Sequence, residues 1–116
     1  MDELIVLTKQ LKSTLEDLIV IFNNEEQPRK DKHFFAYIQS ETKDIFDQLD
    51  MWEELAINEA NAGNIRLREE QIVTTRDNIT ALVFHSYYKD VRKRRYMEIN
   101  KSCHFILQQI LKEIPK

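Results

Sequence analysis

Between His33 and Gly63 the apolar residues Phe34, Ile38, Ile45, Leu49, Trp52 and Ala56 return at steps of four, seven, four, three and four. At about 100° per residue these positions fall within roughly 60° of one another, with Trp52 inside the stripe. Lys43, Asp47, Asp50 and Glu54 take the opposite face. That period excludes a strand, whose sides alternate every residue. A helix with one apolar stripe must bury it against other helices, so the chain has to supply partners for Trp52.

The remaining sequence supplies them. With one glycine and two prolines in 116 residues the chain is poor in turns, which suits a few long helices in a single domain spanning 1–116. A first helix is predicted over 2–23, where Leu4, Leu11, Leu15, Leu18 and Phe22 share a face and Thr8 fills the gap in the repeat. Val6, Val20 and Ile21 lie off that stripe; they read as a second covered side or, alternatively, as a dimer surface. Asn23–Asp31 is a polar loop in which Pro28 bars a continuing helix and Asp31 is placed to cap the next one.

The second helix is read as 32–62, with Gly63 in the C′ position that favours a left-handed residue. Ile65 and Leu67 in the connection should tuck onto the bundle end. A third helix over 69–88 aligns Ile72, Thr75, Ile79, Leu82, Val83 and Ser86, and a fourth over 91–114 aligns Tyr96, Ile99, Cys103, Ile106 and Ile110 before Pro115. Neither glycine nor proline separates these two. Ile99 follows Ile72 by 27 residues, which turns its stripe to the opposite side of one straight helix. A break near Tyr88–Val91, with Asp90 as the next N-cap, removes the conflict. The fold class is therefore all-α, an antiparallel up-down-up-down four-helix bundle.

The chemistry of a site is harder to find. A di-iron bundle needs Glu-x-x-His pairs, and neither these nor His-x-x-x-His or Cys-x-x-Cys occurs. His33, His85 and His104 read as surface or border residues, and no metal or cofactor is expected. Cys103 has a stripe position and reads as a small core residue rather than a nucleophile. No phosphate loop or nucleophile elbow is present, so an enzyme is not expected. The lone cysteine, the acidic Met1-Asp2-Glu3 start and apolar runs no longer than Leu18–Phe22 point to a cytoplasmic protein without a membrane span. Asp44, Asp47, Asp50, Glu53 and Glu54 read as a solvated face, while Glu41 and Glu59 near the stripe edge invite ion pairs with Arg76 or Arg95.

Two features carry a functional reading. Residues 1–63 hold 6 Lys/Arg against 14 Asp/Glu, and residues 64–116 hold 11 against 6. The basic excess includes Lys89, Arg92, Lys93, Arg94 and Arg95, either a cationic corner answering the acidic second helix or a phosphate-attracting patch beside Tyr87, Tyr88 and Tyr96. The second feature is a weaker apolar line on the third helix, Val73, Phe84 and Tyr88, which is an extra-wide buried face or a partner surface.

Trp52, Glu70-Gln71-Ile72, Asp77-Asn78, Ser86-Tyr87 and Lys93-Arg94-Arg95-Tyr96 together resemble the YppE-like family of small proteins from low-GC Gram-positive bacteria, over roughly residues 33–114. That resemblance implies an all-α four-helix bundle and brings no catalytic residues. The expectation is a protein acting through contacts with a protein partner, as a monomer or weak homodimer. The alternative is a nucleic-acid or phosphate-binding module using the run at 89–95.

Overall fold

The computed structural model describes residues 2–27 and 31–113 and forms four helices, α1 (Asp2–Asn23), α2 (Lys32–Asn61), α3 (Glu69–Tyr88) and α4 (Lys93–Glu113). Pro28 and Pro115, to which the sequence reading gave helix-ending roles, lie outside the described residues, as does Ile114. The helices run up-down-up-down: Trp52 late in α2 meets Thr8 early in α1, and Tyr96 early in α4 meets Ser86 late in α3. The longest dimension, 45 Å, is the length of α2 itself, 30 residues at about 1.5 Å each.

Local chemistry sets the helix ends. Asp31 Oδ1 accepts from the Phe34 N–H at 2.8 Å and caps α2. At its other end Gly63 takes φ 80°, Gly63 N–H donates to Ala60 O, and Asn64 N–H donates to Glu59 O. This is a Schellman ending, which needs the one residue without a Cβ penalty. Ile65 and Leu67 follow it into the core and are 4% and 5% exposed. Gln71 Oε1 accepts from the Arg68 N–H at the start of α3. The αL residue that ends α3 is Lys89, at φ 53°. Asp90 does not cap α4: the left-handed turn brings its carboxylate to His85 Nδ1 at 2.7 Å, and α4 begins at Lys93.

Trp52 is fully buried, and its indole N–H donates to Thr8 Oγ1 at 3.1 Å while the Thr8 hydroxyl donates to Leu4 O. The apparent gap in the α1 stripe is thus the partner of the largest core side chain. Thr42 fills the seven-residue step of α2 in the same way, buried and bonded to Ile38 O. On α4 the buried line runs through Asn100 and Leu107, with Ile106 only half-buried. The stripe is therefore rotated from the one read through Ile106. Asn100 is tolerated there because its Nδ2 reaches Leu15 O at 3.3 Å.

In section the bundle is a rhombus. α1 and α3 touch across the short diagonal and each also packs on α2 and α4, whereas the backbones of α2 and α4 nowhere come within 8 Å between Cα atoms. No described helix is long and apolar enough to cross a membrane.

Candidate functional site

Arg92 immediately precedes α4 and Lys93–Arg95 open it, and because α4 is at the corner opposite α2 they do not answer the acidic helix. Arg94 and Arg95 are 92% and 66% exposed and pair only with Glu98 on their own helix, among the described residues. Pairing with α2 falls instead to Arg76, which meets Asp50 and lies 3.6 Å from Glu53. Glu41 and Glu59, read as its partners, are not: Glu59 accepts from Asn64 Nδ2, and Glu41 pairs with no cation among the described residues. Asp50 and Glu53 sit toward α3 on the helical circumference, while Glu41 sits on the flank toward α1.

Lys89 leaves the basic run as well. Its Nζ donates to Ile21 O at 2.7 Å, Phe22 O at 3.0 Å, Asn24 O at 3.0 Å and Asn24 Oδ1 at 2.7 Å. Two of these are carbonyls of the last turn of α1 and two belong to Asn24 just beyond it, where a cation is also favoured by the helix dipole. Partial desolvation lowers the Lys89 pKa, and Glu26 opposes that shift. Lys89 thus ties the end of α3 to the end of α1. No sequence signal announces this, because the contact spans 65 residues or more.

Around that tie the bundle carries most of its aromatic rings. Phe22 stacks on Tyr96 with centroids 4.0 Å apart, and the Tyr96 hydroxyl donates to Ser86 Oγ, which in turn donates to Leu82 O. Burial raises the Tyr96 pKa, and the Ser86 bond lowers it in part. On the α2–α3 seam Phe84 lies against Phe35 and Phe46, and Tyr88 meets Phe34 edge-on at 5.5 Å. Phe84 and Tyr88 are half-buried by these α2 rings; Val73, at the far end of their line, is 37% exposed. Phe35 remains 43% exposed despite its stacking.

A cleft opens on the other flank of α2, between the ends of α1, α2 and α3. Ile21, Phe34, Tyr37, Glu41, Tyr87 and Lys89 are among the residues that line it. Tyr37 and Tyr87 meet edge-on at 6.4 Å. The Tyr87 pKa is raised, first by desolvation and then by Tyr37 and the Glu41 charge. Sequence reasoning missed Tyr37. The available signal was an aromatic residue on the polar flank of a strongly patterned helix.

Nucleophilic chemistry finds little support in these side chains. Burial pushes the Cys103 thiol up to about 12, which makes it a packing group. Ser86, next to the His85–Asp90 pair, is buried and hydrogen-bonded to Leu82 and Tyr96. No group of metal-ligating side chains is assembled among the described residues.

Comparison with known proteins gives no match to a curated protein and none to a solved structure. Residues 8–114 match the profile of one family, described as a bacterial domain of unknown function (DUF1798). That match spans nearly all of the bundle, and the chain belongs to this bacterial family.

Proposed function

We propose that this is a cytoplasmic, non-catalytic bundle protein of the YppE-like type that works by binding another protein through the outer seam of α2 and α3. The observation that carries the reading is Phe35, a large aromatic side chain left 43% exposed in a row with half-buried Phe84 and Tyr88 and exposed Val73. Contiguous aromatic and aliphatic surface of this kind is what partner interfaces bury at their centres. The outer line of α3, Val73-Asp77-Thr80-Phe84-Tyr88, holds one charge. The equivalent line of α1, Asp2-Val6-Lys9-Ser13-Asp17-Val20, holds three.

Capture from native lysate, with nuclease, tests it when wild type is run beside Phe35→Ser/Val73→Ser. Proteins kept by wild type and lost by a variant of similar melting temperature support the seam. Equal capture by both, or none by either, overturns it. A second reading, phosphate or nucleic-acid binding, draws on the exposure of Arg92–Arg95 at the start of α4, where carboxylates of α2 do not reach. Oligonucleotide lost at moderate salt would favour it.

A further inference from the structure

We infer that the cleft between the ends of α1, α2 and α3 receives an arginine or lysine side chain from a basic segment of the protein partner. This rests on the protein-contact reading and gives the partner a chemistry; the cleft lies on the Tyr37–Glu41 side of α2 and Phe35 on the other, with Phe34 between them. The walls are rings: Phe34 stacks on Tyr37 at 6.2 Å, and Tyr37 meets Tyr87 at 6.4 Å. Aromatic faces carry negative potential and attract ammonium and guanidinium groups. Glu41 lines the same cleft.

The charges around the cleft favour a cation. Glu41 and Asp44, one turn apart on α2, have no ion-pair partner among the described residues, while Asp47 pairs with Lys43 and Asp50 and Glu53 with Arg76. Lys89, the one lysine or arginine among the described lining residues, has its ammonium turned onto four oxygens at and just beyond the end of α1, and Glu26 in the same lining sets a negative charge against it. An apolar occupant would desolvate Glu41 without compensation, and an anion would face it directly.

What points to a segment rather than a lone amine is the helix beyond the cleft. Over Lys32–Asn61 there are seven carboxylates to two lysines. The cations of α4 sit at the opposite corner and do not neutralise them. A chain bearing several positive charges meets that surface with one side chain in the cleft and the others along α2.

The test titrates a blocked hexa-arginine peptide into isotope-labelled protein at physiological ionic strength, followed by NMR, with arginine amide as the comparison. Shifts should cluster on residues 34–41 and 86–89. Affinity should fall roughly three- to tenfold in Glu41→Gln and in Tyr37→Ala. It should fall less in Asp47→Asn, which removes the same charge from α2 outside the cleft. Both carboxylate positions are exposed, and matched melting temperatures confirm folding. Equal losses at Glu41 and Asp47, shifts elsewhere, or no binding would overturn the proposal. Arginine amide binding as tightly as the peptide would overturn the basic segment as occupant. If the peptide fails while Phe35-dependent capture persists, the cleft falls and the seam stands; if capture fails while the peptide binds as described, the reverse holds.

Discussion

The two ends of this bundle are built differently. At the end where α2 gives way to α3, Trp52, Ala56, Ile65, Leu67, Ile72 and Leu107 are buried, and the chain is closed by a glycine Schellman turn. At the other end α3 stops on a lysine in the left-handed region, that lysine bonds the last carbonyls of α1, Tyr37 stays half-exposed in a cleft, and Phe35 stays half-exposed against Phe84. The first end is closed by buried aliphatics, by Trp52 on Thr8, and by a local glycine turn, beyond which the Arg66 backbone bonds Glu113 and Gln109. The second is joined by the Lys89 ammonium and by Tyr96 between Phe22 and Ser86, and it leaves aromatic surface unused by the fold. The difference separates what stabilises the bundle from what is available for binding.

The comparison breaks first if the closed end is not the stability centre. Trp52→Ala should cost about 3–5 kcal/mol, as emptying a buried aromatic site does, and Trp52→Phe should cost less because the Thr8 hydroxyl keeps its bond to Leu4 O. Denaturant midpoints read both. A loss below about 0.5 kcal/mol for Trp52→Ala would place that end outside the core.

Lys89→Met sharpens the contrast from the open side. It keeps the left-handed strain and removes the ammonium from four oxygens, so about 1–2 kcal/mol should go, less than for a dry site because water reaches the carbonyls. Hydrogen exchange should rise at the last turn of α1 and leave amides near Trp52 protected. Uniform acceleration through both ends would erase the distinction.

Replacing Arg92, Lys93, Arg94 and Arg95 together with Gln should shift stability by within about 0.5 kcal/mol, since the pairs lost are with Glu98 and exposed, and cations at a helix start oppose its dipole. A larger loss that shrinks with salt would mean these cations complete the open end. Wild-type oligonucleotide binding whose log-salt slope drops by several units in this variant would assign them to phosphate contacts.

The smallest effect is a titration. His104, on α4 facing Lys12 and Glu16 of α1, has its pKa lowered from 6.5, first by burial, then by Lys12, with Glu16 opposing. The unfolded chain therefore takes up the proton first. Stability should decline as pH falls below about 6.5 and level off below the folded-state value. Melting temperatures across pH 8 to 5 should slope less in His104→Gln than in wild type; parallel curves would mean that site is as wet as the unfolded chain.

The helices were legible in the sequence because a 3.6-residue period needs no knowledge of neighbours, and so were the Asp31 cap and the Gly63 turn, which act within a few residues. The phase argument that breaks the chain after Tyr88 is of the same local kind. Residues whose partner is far along the chain could not be read: Thr8 beneath Trp52, Asn100 against Leu15, Lys89 on the end of α1. The candidate site was read least well, since Lys89 belongs to the frame, while Tyr37 and Glu41 acquire a role only beside Tyr87.

Charge shows the boundary most clearly. The sequence determined that acidic residues crowd the second helix and basic ones the fourth, which by itself suits neighbours as well as strangers. Only the tertiary structure decided the matter, by bringing α1 and α3 into contact across the short diagonal and so holding α2 and α4 apart. Periodicity fixes which face of each helix is buried. Which helices then touch depends on how side chains of particular volume interlock across the core, and no repeat within a single helix encodes that.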